Sequence, residues 1–232
     1  MKTVLLKLTG PMQSWGTSSH FETRTTDYYP SKSAVLGIVA ASLGYRRDND
    51  EAIKKLNDLD FAVRVDQEGI LSRDFHIARK LKANGSLDRN YVTNRYYLED
   101  AVFVVALGHE DDAWMDEIIK ALENPYFQPF MGRRSCPLPG DFILEVKDLG
   151  AIDALEQLPW QAADWYRKKH KNYRGEIYAD KDLFDSKTWI MRKDQVISFS
   201  QKERKFGPRF ESRKSQILSQ EETEDLDFFE EI

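Results

Sequence analysis

The sequence of 232 residues predicts an α+β fold, with a ferredoxin-like or RRM-type domain that carries a long insertion, and a smaller C-terminal β-rich lobe. Three observations support it. Apolar segments with strand or helix periodicity follow one another as strand, helix, strand, strand, helix, strand. A basic, tyrosine-containing insertion separates the second strand from the third, and short β-type segments follow the last one.

The elements follow from local signals along the chain. The first apolar run ends at the Gly10-Pro11 breaker, and Phe61, Val63 and Val65 alternate with other residues as in a half-buried strand. The predicted elements, in order, are a strand over 3–8, a helix over 33–43 capped by Ser31 or Ser33 and stopped by Gly44, a helical piece starting near Asp48 and Glu51, strands over 61–65 and 102–107, a helix over 112–123 and a strand over 142–146.

These elements suggest three regions. Residues 1–146 form the ferredoxin-like or RRM-type domain, including the insertion 67–100, and residues 147–218 form the C-terminal lobe. Within that lobe, residues 188–191 and 196–199 predict a hairpin around Asp194. Residues 219–232 are predicted to be an acidic tail that is flexible or docked on a partner.

The composition excludes several classes of protein. The longest apolar run, 101–107, is far shorter than the ~20 residues that cross a bilayer, and the N-terminus lacks the apolar region of a secretory signal. We therefore predict a cytoplasmic protein without membrane contact. A single cysteine, Cys136, and four scattered histidines predict no disulfide, no metal site and no cofactor.

The net charge of −5 conceals a basic body, because residues 221–232 hold seven acidic side chains and no basic one. The basic residues of the body are clustered in three segments: 73–95, 167–174 and 202–214. Clustered cations suit a polyanion that follows the protein surface, so we predict a nucleic-acid partner.

The segment Gly132-Arg133-Arg134-Ser135-Cys136-Pro137-Leu138 combines paired guanidiniums with a glycine and a turn. Arginine binds phosphate oxygens through two donors, and glycine allows backbone N–H groups to approach an anion. The segment is therefore either a phosphate-binding loop or a solvated loop whose arginines pair with nearby acids.

The insertion 67–100 is long for a loop in a compact domain, which favours a functional segment. Arginines alternate with tyrosines in its second half, and bases stack on tyrosines while arginines neutralise phosphates. An ordinary solvated hairpin is the alternative.

Four ordered motifs resemble one known family. They are Leu8-Thr9-Gly10-Pro11-Met12-Gln13-Ser14-Trp15-Gly16; Arg24-Thr25 with Tyr29-Pro30-Ser31-Lys32-Ser33 and Leu36-Gly37; Arg73-Asp74-Phe75-His76; and residues 132–138. In this order they are similar to the CasD family of CRISPR-associated RAMP-superfamily subunits in the type I-E Cascade complex. The resemblance covers residues 1–146 closely, continues weakly to residue 213, and does not extend to the acidic tail.

The resemblance implies a non-catalytic RNA-binding subunit that holds the 5′ handle of the crRNA and caps the backbone of the complex in antiviral defence. Its implied partners are the crRNA, the backbone subunit CasC, the large subunit CasA and, through the complex, target DNA. The resemblance also implies that residues 1–146 form an RRM-like palm and that residues 67–100 form an inserted β-hairpin thumb, which would fold over the RNA. A different subunit would cut the precursor. The predicted RNA-binding residues are Gln13, Ser14, Trp15, Arg24, Ser31, Lys32, Ser33, Arg73, His76, Arg89, Arg95, Arg133, Arg134, Ser135 and Arg209.

Several of these residues have a structural alternative. Trp15 either stacks on a base or lies in the core, and Ser31 caps a helix whose N-terminus also suits an anion near Lys32. Arg24 binds phosphate or forms a salt bridge with Asp27 or Glu22.

His76 decides between two functions. With Lys80 or Lys82 and a tyrosine it could act as general acid or base in metal-independent cleavage of precursor crRNA, whereas a lone histidine is more often a hydrogen-bonded structural residue. A third interpretation is an assembly protein whose basic patches contact acidic protein surfaces.

Overall fold

The computed structural model describes residues 1–219, so the predicted acidic tail lies outside the described residues apart from Ser219. The strands in this range are β1 (Lys2–Thr9), β2 (Met12–Gln13), β3 (Thr23–Arg24), β4 (Asp60–Gln67), β5 (Ile70–Leu81), β6 (Leu87–Glu99), β7 (Val102–His109), β8 (Ile143–Lys147), β9 (Asn172–Asp180), β10 (Ile190–Ser198) and β11 (Lys205–Ser219). The α-helices are α1 (Lys32–Ser42), α2 (Asp50–Lys55), α3 (Asp112–Glu123), α4 (Ala151–Glu156) and α5 (Asp164–Lys169).

Strands β4, β7, β1 and β8 lie side by side in this order, and each neighbouring pair is antiparallel. Helix α1 follows β1 in the chain and α3 follows β7. This arrangement is the ferredoxin-like plan, which confirms the predicted fold class. Ser31 caps α1 by accepting a hydrogen bond from the Ala34 amide, as one of the two predicted caps.

The sheet is covered on both sides, which explains why Val4, Leu5 and Leu6 of β1 are apolar and buried at three consecutive positions. Val4 and Leu6 join the core cluster that includes α1 and α3, whereas Leu5 joins a second cluster with residues of α4. A strand buried on both sides is expected to lack polar alternation.

Residues 147–218 do not form a sheet of their own. Strands β9, β11 and β10 continue the palm sheet outward from β4, giving seven strands in the order β10-β11-β9-β4-β7-β1-β8. The predicted division at residue 146 therefore falls within one continuous sheet and does not separate two sheets. The hairpin predicted around Asp194 is wrong, because residues 190–198 form the single strand β10, which pairs with β11.

Strands β5 and β6 form a long hairpin within the insertion 67–100, paired from Ile70 opposite Glu99 to Leu81 opposite Leu87. Two short strands, β2 and β3, pair with the base of β6 and tie the hairpin to the loop after β1. Most side chains of β5 are exposed, so the outer hairpin projects from the packed body of the protein.

Candidate nucleic-acid interface

Two loops at the base of the hairpin pack against each other with almost no space between their backbones. Gly132 has a φ of 78°, and a Cβ atom there would lie 1.6 Å from the carbonyl oxygen of Ser14. A Cβ atom on Gly16 would likewise lie 2.1 Å from the carbonyl oxygen of Thr25. These glycines serve backbone-to-backbone packing, which differs from the predicted role of Gly132 in admitting an anion.

Arg133 projects from this junction towards β3 and β6. Its guanidinium lies over the ring of Tyr97, 4.3 Å from the ring centroid, and Nη2 donates a hydrogen bond of 2.9 Å to the carbonyl oxygen of Arg24. Its Nη1 atom is buried and has no hydrogen-bond partner among the described residues. The side chain is thus held in place with one donor unused.

Four arginines line one groove of about 350 Å³: Arg24, Arg95, Arg133 and Arg204. The other lining residues are small or hydroxyl-bearing, and no acidic residue of the range 1–219 lines the groove. None of the four forms an ion pair within that range, and Arg95 Nε is buried without a partner. Desolvation, followed by the positive charges of Arg47 and Arg24, lowers the pKa of Arg204. The groove is a concentrated positive site that lacks its counter-charge.

The groove opens into a cavity of about 650 Å³, and the two share Ser14, Gly16, Gly132 and Arg204 in their walls. Six aromatic side chains line the cavity: Trp15, Tyr45, Phe127, Phe130, Phe199 and Phe206. Arg46 and Arg47 also line it. A cationic groove joined to a cavity lined by aromatic side chains suits a single-stranded nucleotide, whose unstacked base can leave the backbone path.

The hairpin continues the basic surface upward from the groove. Arg89 lies over Tyr91, 5.2 Å from the ring centroid, and Phe21 contacts the edge of the same tyrosine. Arg73 is exposed on β5, opposite Tyr96 in the register. These pairs of arginine and tyrosine can contact phosphates and bases beyond the groove.

His76 is exposed on the hairpin, and its Nε2 lies 3.2 Å from a carboxylate oxygen of Asp74. Lys80 stands four residues along the same strand, about 13 Å away at ~3.3 Å per residue, and pairs with Asp88. Tyr97 is covered by Arg133, and Tyr29 donates a hydrogen bond to Glu211. The residues considered for RNA cleavage therefore do not converge on His76.

The chain was then compared with known proteins. Residues 3–211 match the family described as CRISPR-associated protein (Cas_Cas5). The chain belongs to this family. A CasD subunit of the Cascade CRISPR system of Escherichia coli (strain K12) is 38% identical over 154 residues, in an alignment covering 58% of this chain. The alignment covers 66% of that relative, just under two thirds of its length. The predicted resemblance to CasD is confirmed.

Two solved structures resemble this Cas_Cas5 protein over nearly its whole length. A chain of a CRISPR RNA-guided surveillance complex is 30% identical with a TM-score of 0.77, covering 93% of this chain and 90% of that one. A crystal structure of a Cas protein is also 30% identical with a TM-score of 0.65, covering 94% and 95% of the two chains.

Some predicted contact residues of the Cas_Cas5 protein are instead part of its interior. Gln13 is fully buried, and its Nε2 donates to the carbonyl oxygens of Leu8 at 3.2 Å and Ala101 at 2.7 Å. The Trp15 indole N–H donates to Gln13 Oε1, 3.0 Å away. Gln13 therefore joins the ends of β1 and β7, and Trp15 offers the cavity no more than part of its ring.

The predicted anion site at the start of α1 is also wrong. Asp194 already accepts a hydrogen bond of 3.0 Å from the Lys32 amide. The Lys32 ammonium is buried, and it donates to the carbonyl oxygen of Leu59 at 2.6 Å and to Asp180 at 2.8 Å. The protein's own carboxylates satisfy the Lys32 amide and ammonium, so these two groups are not free to bind a phosphate. Ser31 and Ser33 are largely buried and lie in the wall of the cavity of about 650 Å³.

Arg209, predicted to bind RNA, is a structural residue for the same reason. It forms a two-point ion pair with Asp194 at 2.8 and 3.0 Å and a further contact of 3.0 Å with Asp180. Burial opposes its charge, but the hydrogen bonds and charges of Asp194, Glu211 and Asp180 outweigh burial and raise the pKa of Arg209. This side chain joins β9, β10 and β11.

The remaining predicted residues lie at or near the groove. Arg134 and Ser135 are exposed in the loop beside Arg133, and Ser14 lines both the groove and the cavity. Sequence reasoning missed Arg46, Arg47 and Arg204 as site residues. The only sequence feature that pointed to Arg204 was its place in the basic segment 202–214. The sequence does not show that the segments carrying Arg24, Arg133 and Arg204 meet at one groove.

No group of three or more histidine, cysteine, aspartate or glutamate side chains within residues 1–219 is arranged to hold a metal ion. No helix in the described part of the chain combines the length and apolar character needed to cross a membrane.

Proposed function

We propose that this protein is a non-catalytic RNA-binding subunit of a type I-E CRISPR Cascade complex that holds the 5′ handle of the crRNA. The observation that carries the proposal is the groove of Arg24, Arg95, Arg133 and Arg204, which has no acidic residue in its described lining. Four cations without counter-charge suit the closely spaced phosphates of a sharply turned RNA strand.

The adjoining aromatic cavity extends the proposal to a base. A volume of about 650 Å³ lined by six aromatic side chains leaves room for an unstacked nucleobase beside the phosphates in the groove. Single-stranded RNA is recognised in this manner, by stacking on aromatic rings and contacts to base edges. The handle is accordingly bound as a bent single strand at the base of the hairpin.

The partners follow from the relatives. One relative is a subunit of Cascade, and one structural match belongs to an RNA-guided surveillance complex. We propose that this chain assembles in the cytoplasm with crRNA, the backbone subunit CasC and the large subunit CasA, and meets target DNA through the complex. The projecting hairpin, with its exposed apolar side chains Phe75, Ile77 and Val92, is available for contacts with RNA or neighbouring subunits.

Co-purification tests this assignment. The chain should be expressed with the other Cascade subunits and a crRNA, and its retention should depend on an intact handle sequence. A crRNA with a scrambled handle and an unchanged spacer is the matched control. Equal retention with both RNAs would contradict handle binding and favour the interpretation as an assembly protein.

A further inference from the structure

A second basic surface lies at the far end of β9, on segments that do not line the arginine groove. We call it the α5 patch, and it consists of Lys168, Lys169, Lys171 and Arg174. All four side chains are exposed, and none forms an ion pair with another described residue. The neighbouring cation Arg167 differs, because it pairs with Asp164.

The acidic groups around the α5 patch are mostly engaged elsewhere. Asp164 pairs with Arg167, and Glu156 on α4 pairs with Lys214. Glu176 accepts a hydrogen bond from the Ser215 hydroxyl, which leaves Glu68, close to Tyr166, as an exposed carboxylate on this side. The patch therefore keeps a net positive charge.

The last described residue of β11 lies beside this patch. In the antiparallel pairing of β11 with β9, Ser219 lies opposite Asn172, which follows Lys171 in the chain. The following 13 residues, 220–232, carry seven acidic side chains and no basic one. At about 3.3 Å per residue they reach some 40 Å when extended, far enough to cover residues 168–174.

We propose that residues 220–232 dock on the α5 patch of their own chain. Each exposed ion pair is weak, but a tether that starts one residue from the patch gives the tail a high effective concentration there. Apolar side chains are also present on both the patch and the tail. Trp165 and Ile217 are 57% and 68% exposed beside the patch, and the tail contains Leu226, Phe228 and Phe229.

Docking would shield one cationic surface while the arginine groove stays open. A free α5 patch attracts any polyanion, because contacts to phosphate do not depend on sequence. A docked tail occupies the lysines and competes with such binding. The protein then presents a single strong RNA site, at the base of the hairpin.

Carbodiimide cross-linking of the full chain tests the proposal directly, since it joins carboxylates to lysines that are in contact. At low salt, tail carboxylates should link mainly to Lys168, Lys169 and Lys171, and the yield should fall several-fold at high salt. K168E/K171E should remove the links at these two positions and lower the links to Lys169 several-fold, whereas the matched exposed pair K54E/K120E should leave all of them unchanged. Links spread evenly over other lysines, or no links, would overturn the proposal.

Heparin binding by full-length variants provides the second test. A variant whose seven tail acids are replaced by Asn or Gln should bind heparin at least about three-fold more tightly, and K168E/K171E should remove that gain. If K168E/K171E instead weakens heparin binding equally with the native and the neutral tail, the patch is an open nucleic-acid surface and docking is refuted.

Discussion

Arg24 on β3 and Arg95 on β6 are direct neighbours in paired strands, and neither forms an ion pair with a described residue. Like charges at adjacent positions of paired strands repel each other. The protein keeps them together beside Arg133 and Arg204, in a groove without an acidic residue in its described lining. Clustering these arginines destabilises the free protein. Such a cluster is expected at a site where a bound anion supplies the neutralising negative charge.

We expect the double substitution Arg24→Ala/Arg95→Ala to weaken RNA binding and make it less sensitive to salt. Each lost phosphate contact lowers the slope of log K against log salt by about 0.7 for a single strand. Filter binding of handle RNA at several salt concentrations measures this slope. Lys54→Ala/Lys120→Ala removes two exposed lysines from α2 and α3 and should change neither quantity; an equal effect would refute a localised groove.

Gly132→Ala should destabilise the protein by at least about 2 kcal/mol and impair RNA binding. The new Cβ would lie 1.6 Å from Ser14 O at a φ of 78°, so both backbone strain and overpacking apply. Gly140→Ala, where a Cβ has nothing within 4 Å, is the control and should be close to neutral. Urea unfolding of both variants gives the comparison, and similar midpoints would contradict this role for Gly132.

Arg209→Met should reduce stability by about 3–5 kcal/mol, because it leaves buried carboxylates without their partner. RNA binding by the remaining folded fraction should keep its wild-type affinity. Arg213→Met, four residues along the same strand and exposed, is the matched control. A stable Arg209→Met protein with weak RNA binding would restore the original assignment of Arg209 to the RNA interface.

Shortening the hairpin should separate binding from folding. Ile77 pairs with Val92, so Asn-Gly in place of residues 78–91 joins them through a two-residue turn in the same register. The removed side chains are mostly exposed, and we expect native circular dichroism and a similar unfolding midpoint together with impaired assembly or RNA binding. Loss of the fold would show that the hairpin is needed by the core.

The purified chain should not cut repeat RNA in the presence of EDTA, and His76→Ala should leave precursor processing by the full set of subunits unchanged. General acid and base groups must both lie within reach of the reacting phosphate, and Asp74 is the only side chain within residues 1–219 that pairs with His76. Site-specific cleavage that disappears in His76→Ala would establish the endoribonuclease alternative instead.

The sequence predicted the order of the palm elements because it depends on local periodicity. Ser31 as a helix cap is equally local, since the signal is a serine just before an apolar run. Lys32 and Arg209 could not be assigned in this way. A Ser-Lys-Ser segment at a helix start looks the same whether its lysine faces phosphate or, as here, a buried carboxylate from a distant strand.

The error at Asp194 has the same origin. A charged residue between two apolar stretches normally indicates a turn, but Arg209 neutralises Asp194 inside the sheet and the strand continues. The groove was predicted in part: Arg24, Arg95 and Arg133 lay in recognisable motifs or a basic insertion, whereas Arg204 required the fold.

The link between Lys32 and the carboxylates that also hold Arg209 has a consequence for protein synthesis. Asp180 and Asp194 are about 150 residues downstream of Lys32, and Arg209 follows later still. At roughly 5–20 residues per second, the ribosome finishes Arg209 some 10–35 s after Lys32. During that interval the first helix of the palm lacks its final partners, so the nascent N-terminal half should need protection by chaperones until the last strand has been translated.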